Sequence, residues 1–84
     1  MPRGKGGYRT RRIAKLQKTA PPGAHFIGFG GSSIRQETLV FDIDHQEYRL
    51  PVFPDAWKSP DEIGAEYGCI GLFDWSEYEP DEAE

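Results

Sequence analysis

The chain has 84 residues, with ten Lys and Arg, fourteen Asp and Glu, and a formal net charge of −4. That length holds one domain, its single cysteine excludes an intramolecular disulfide and a cysteine-built zinc site, and no stretch approaches the roughly 20 apolar residues of a membrane-spanning helix. The charge is sorted: residues 1–20 carry seven bases and no acid, while residues 21–84 carry three bases and fourteen acids, a net of −11.

Residues 1–23 read as a basic flexible arm with a Pro/Gly linker. Its start is not followed by an apolar h-region, so no secretory signal is read. An acid-free opening is shared with mitochondrial presequences, but this one is Gly-rich and has no serine before Ser32. Met1–Gly7 is mostly Gly, Pro and base and is expected to have no fixed structure. Tyr8–Lys18 supports a short helix in which Ile13 and Leu16 share a face and bases take most of the remainder. Helices shorter than about 12–15 residues are marginal alone, so this one is expected to order on contact. "TAPPG" (Thr19–Gly23) ends it.

Residues 24–74 read as a small α+β core. His25–Phe29 is aromatic and β-prone, and Gly30-Gly31 permits a turn. "TLVFDIDHQEYRLPVF" reads as a hairpin. A loop at Asp44–Glu47 sets Ile43 opposite Tyr48, Phe41 opposite Leu50 and Leu39 opposite Val52, all on one face because strand side chains alternate. It also sets Asp42 opposite Arg49, a favourable cross-strand pair. Closing the turn at Asp44-His45 would pair Ile43 with Gln46 and Asp42 with Glu47, so the longer loop is the expected register. Pro51 and Pro54 favour an edge position for the second strand or its end there.

Further on, Ser59 suits an N-cap, Pro60 the first helical position, Glu62 a capping box and Gly68 a C-terminal stop, while Gly64 weakens the interior. "CIGLF" (Cys69–Phe73) reads as a buried strand. The expected fold is therefore a small antiparallel sheet of three to four strands with one short helix, between a basic N-terminal arm and an acidic C-terminal tail (75–84). A small β-barrel is the runner-up.

Sites for chemistry are sparse. "GFGGSS" lacks the third glycine of a dinucleotide fingerprint, and too few residues follow for its helix. It reads as a hairpin turn whose Gly30–Ser33 amides are candidates to approach a phosphate or carboxylate. Asp42, Asp44 and His45 are weak metal candidates, since Asp and His are ordinary loop residues and Asp42 has Arg49 to pair with. Cys69 has apolar neighbours and no adjacent base, so a structural thiol is expected. No nucleophile has a visible base and orienting group, and no enzyme activity, metal or cofactor is expected.

The arm carries the sharpest signal. Arg3, Lys5, Arg9, Arg11, Arg12, Lys15 and Lys18 suit phosphate contact, and Tyr8 suits stacking on a base. Neutralising five to seven phosphates would give a slope of log K against log salt of roughly −4 to −6 on duplex DNA. The expected function is a non-enzymatic accessory protein that contacts DNA or RNA through this arm. The alternative is a protein-interaction module. In one form, Asp74, Trp75, Glu77, Tyr78, Glu79 and Asp81 belong to an acidic nucleic-acid mimic, matching phage inhibitors in charge and size only. In the other, arm and tail lace neighbours in a viral or ribonucleoprotein assembly, with self-association. A third reading makes both tails inert. No membrane partner is expected. The lone cysteine is compatible with a reducing compartment, cytoplasmic or inside a viral particle.

Overall fold

The computed structural model describes residues 7–80. Helix α1 (Gly7–Lys18) leads into strands β1 (His25–Gly30), β2 (Thr38–Ile43) and β3 (Gln46–Pro51). Helix α2 (Pro60–Tyr67) and a short β4 (Ile70–Gly71) follow, with single 3-10 turns at Pro54–Ala56 and Trp75–Glu77. The strand order is β1-β2-β3-β4. The β1–β2 and β2–β3 pairings are antiparallel and β3–β4 is parallel. The fold is thus small α+β as expected, but its sheet is mixed and open, neither wholly antiparallel nor closed into a barrel. The parallel pair arises because α2 acts as a crossover, returning the chain to run beside β3 in the same direction.

The hairpin register differs from expectation. Asp44 and His45 both take positive φ (55° and 69°) and form a two-residue turn, so Ile43 pairs with Gln46, Asp42 with Glu47, Phe41 with Tyr48 and Leu39 with Leu50. The two registers differ by two residues, so both put Leu39, Phe41, Ile43, Tyr48, Leu50 and Val52 on the same face. Hydrophobic alternation could not separate them. Turn geometry does: two residues at positive φ match the right-handed strand twist. The like-charged Asp42–Glu47 pair is relieved by Arg49, whose Nη2 lies 3.3 Å from Glu47 Oε1.

β3 is not an edge strand, since β4 pairs with it at Tyr48 and Arg49. Pro51 lies beyond that short pairing, where a missing donor is harmless. The strand expected over Cys69–Phe73 shrinks to Ile70–Gly71, with Cys69 half-buried and Ile70 exposed. The reason is backbone packing. A Cβ on Gly71 would collide with the Pro60 carbonyl oxygen, and one on Gly64 would lie 2.6 Å from the Cys69 carbonyl oxygen. Helix and strand meet without side chains between them, which accounts for Gly64 inside α2. Ser59 holds the N-cap position but makes no side-chain cap; Glu62 instead accepts from the Lys58 amide at 2.6 Å. Gly68 ends the helix at φ 69°.

One sheet face carries the main core: Leu39, Phe41, Ile43, Tyr48, Leu50, Val52, Leu72 and Trp75, joined by Leu16 of α1. Leu16 is fully buried, Trp75 is 7% exposed, and Trp75 Nε1 donates to the Leu16 carbonyl at 2.8 Å. The core therefore extends past the expected 24–74 at both ends, and the described part of the basic arm is a seated helix. On the opposite face Val40 is buried and Arg49 lies over the Tyr67 ring of α2 at 4.8 Å.

Two variants test this reading. Asp44→Asn combined with His45→Gly relieves the left-handed strain of the turn and raises stability by roughly 0.5–1 kcal/mol; a lower urea midpoint would contradict the two-residue turn. Gly71→Ala lowers stability by roughly 1–3 kcal/mol, the usual cost of overpacking, measured by the same denaturation.

Candidate nucleic-acid interface

The sequence of α1 is rich in Arg, Lys, Leu, Ala and Gln, all good helix formers. Lys15 and Lys18 occupy its last turn, where positive charge complements the helix dipole. Thr19 closes the end, its amide and hydroxyl both donating to the Lys15 carbonyl (2.9 and 2.7 Å). Leu16 and Ile13 pack on the sheet.

Two arginines of the helix are tied to the protein itself. Arg9 grips Glu37 through two parallel hydrogen bonds, 2.8 and 2.9 Å. That pairing, hydrogen bonding first and charge second, holds the Arg9 proton more tightly than usual. Arg12 donates to the carbonyls of Pro51 (3.3 Å) and Phe73. Neither is a free phosphate ligand.

The remaining bases of the helix form a solvent-facing stripe. Tyr8, Arg11, Lys15 and Lys18 are all exposed, and their spacing of three, four and three places them along one side of an α-helix. Tyr8, Arg11, Arg12 and Lys15 line a shallow groove of about 380 Å³. Arg3 and Lys5 lie outside the described residues. Of the basic side chains singled out from the sequence, the fold thus gathers three into one accessible row, with Tyr8 at its start.

The acidic segment is divided differently. Trp75 is core, and Tyr78 packs against Tyr48 and Trp75. Asp74 caps the Trp75–Glu77 turn, accepting from the Ser76 amide (3.0 Å) and hydroxyl. Glu77 and Glu79 are exposed, and Asp81 lies outside the described residues. The Ser76 hydroxyl, assisted by its amide and by Arg12 and Lys15, holds the Asp74 carboxyl below its ordinary value against the opposing effect of burial. Burial pushes the Cys69 thiol up, with Arg49 partly offsetting it, whereas activated thiols are shifted down. Among the described residues, no group of three or more His, Cys, Asp or Glu side chains is arranged to hold a metal ion.

Sequence reasoning missed an apolar patch beside the start of α1. Phe26, Ile27, Phe29 and Ile34 are exposed, and Arg9 lies over the Phe29 ring at 5.9 Å. The run "HFIGF" did announce a strand, but nothing in it showed that the strand would sit at the sheet's edge. The Gly30–Ser33 segment lines a groove of about 320 Å³ with Phe29, Ile34 and Glu37.

No protein-family model matches the chain, and no curated protein or solved structure matches it with significance. Among the described residues, no helix is long and apolar enough to cross a membrane.

The Asp74 environment gives a pH test. A carboxyl held low in the fold contributes stability above the ordinary carboxylate range near pH 4, and that contribution is lost as pH falls below it. Ser76→Ala brings Asp74 back toward its ordinary titration and flattens this acid limb. A carboxyl NMR titration unchanged by the substitution would show that the hydroxyl is not the cause.

Proposed function

We propose that the chain is a non-enzymatic, nucleic-acid-associated accessory protein that contacts phosphates through the outer stripe of α1. The observation that carries this reading is the row Tyr8, Arg11, Lys15 and Lys18, exposed on a helix that the core holds in place. Arg3 and Lys5, in the same acid-free run, extend the cationic supply. With Arg9 and Arg12 occupied inside the fold, at most five bases of this run remain. The slope of log K against log salt on duplex DNA is then about −3 to −4.5, shallower than seven free bases would give. The net −11 of residues 21–84 repels a polyanion elsewhere and confines contact to the helix. A reducing intracellular setting, cytoplasmic or within a viral particle, suits a partner of this kind and an unpaired Cys69.

The alternative, a protein-interaction module built on the acidic segment, is weakened by Trp75, its central aromatic anchor, being part of the core. Glu77 and Glu79 remain exposed, so a rim contact to a larger assembly is its surviving form.

Removing residues 1–20 is a poor test, because it takes Leu16 from the core. The combined variant Arg11→Gln, Lys15→Gln, Lys18→Gln leaves the core contacts intact. Fluorescence anisotropy with duplex DNA and single-stranded RNA across salt should show weakened binding and a slope flatter by about 2 to 3. Absence of binding by the unaltered chain even at low salt would sink the proposal.

A further inference from the structure

The first strand carries a β-bulge. Phe26 pairs with Phe41 and Gly28 with Val40, leaving Ile27 unpaired. Gly28 has φ 151°, which favours glycine. Without the bulge, Phe26 and Phe29, three residues apart, would point to opposite sides of the sheet. With it, they pair with Phe41 and Leu39, which share the core face, and their rings meet edge to face at 5.3 Å. The bulge also breaks the regular bonding pattern along the outer edge of β1, which makes that edge a poor template for another strand. What β1 offers outward is therefore the faces of its side chains.

These rings sit among cations. Arg9 covers one side of Phe29, which is nevertheless 54% exposed. Tyr8, the preceding residue of α1, is 51% exposed and packs on Phe53 at 5.6 Å, and Arg35 lies over Phe53 at 5.7 Å. The nearby acid, Glu37, is held by Arg9. Half-open aromatic faces interleaved with guanidinium groups complement a partner that alternates flat apolar rings with negative charge.

We propose that this patch binds single-stranded nucleic acid, RNA and DNA alike, with bases stacked on Phe29 and Tyr8 and the phosphates continuing onto the stripe of α1. The proposal rests on the phosphate-binding role of α1 and specifies its ligand. The rings address the base faces, and Arg35 with the outer cations of α1 the phosphates, that RNA and DNA share, so the patch does not distinguish them. Stacked bases in a duplex are closed to such contact, so single strands are preferred.

The test uses the full chain with labelled oligo(U), oligo(dT) and a hairpin duplex across salt, alongside Phe29→Ala, Phe29→Leu and Tyr8→Ala. Thermal melts confirm that each variant is folded. Tighter binding of both single strands than of the hairpin is expected. Each variant should lose roughly 5- to 100-fold on single strands with the salt slope unchanged, because no phosphate contact is removed. Phe29→Leu keeps apolar bulk and loses the ring, so it separates stacking from general hydrophobic docking. Equal binding of hairpin and single strands, indifferent to these variants, overturns this inference and leaves the phosphate role of α1 standing. No binding by the unaltered chain at low salt overturns both. Self-association in sedimentation that Phe29→Leu abolishes, with oligonucleotide binding untouched, assigns the patch to a second copy and overturns it as well.

Discussion

The hydrogen bond from the Trp75 indole to the Leu16 carbonyl joins two parts of the chain 59 residues apart, and most of the molecule's order depends on the contact it marks. A core of this size leaves little margin for loss. Leu16 enters from one end of the sequence and Trp75 from the other, and both join the core cluster of Phe41, Tyr48 and Leu50, with Trp75 against the Phe41 and Tyr48 rings. Burying an indole without a partner for its N–H would leave a desolvated donor. The Leu16 carbonyl lies in the last turns of α1, where carbonyls lack intrahelical partners. Each group supplies what the other needs, and the result holds a cationic helix against a largely anionic protein.

That docking divides the bases of one short helix into two kinds. Arg9 and Arg12 lie toward the sheet, where a carboxylate and two backbone carbonyls take up their donors. Arg11, Lys15 and Lys18 face away, with no acid within the helix to neutralise them. A basic segment that ordered only on contact would lose backbone entropy on binding. A helix already seated on a core has lost it during folding, so the proposed phosphate contact would cost less ordering. The docked arrangement turns charge that composition made diffuse into a row with fixed spacing.

Much of this could be read from the residues. The central hairpin and its apolar face, the Pro60–Tyr67 helix with its glycine stop, and the small α+β class follow from alternation, helix-end preferences and length, although β3 begins at Gln46, inside the expected loop. The features that escaped were those set by partners distant in sequence. The hairpin register was ambiguous because both choices kept the same apolar face, and Asp44-His45 is not a common sequence for a turn at positive φ. Gly64 reads as a weakness of its helix because nothing local shows that the backbone of β4 packs against it. Seven bases in a row looked equivalent, since their sequence neighbours do not reveal that Glu37 and the carbonyls of Pro51 and Phe73 would claim two of them. Trp75 reads from its neighbours as part of the acidic tail; the seating of α1 is what brings it into the core.

The charge asymmetry also has a structural side. Asp74 lies close enough to Arg12 and Lys15 for both to favour its ionised form, so the acidic segment begins by partly balancing the helix it underpins. Glu37 does the same at the other end through Arg9. Glu37 takes up Arg9 and Asp74 partly balances Arg12 and Lys15, while Arg11, Lys15 and Lys18 all stay exposed to solvent. A mobile basic arm would be drawn onto any acidic surface of its own protein, which here is most of it. Pinning the helix with the Arg9–Glu37 ion pair, the Arg12 bonds to backbone carbonyls and one indole bond keeps its outer charges from being drawn across that surface. The bulge in β1 likewise sets Phe26 and Phe29 on one face of the sheet, where both stay partly exposed.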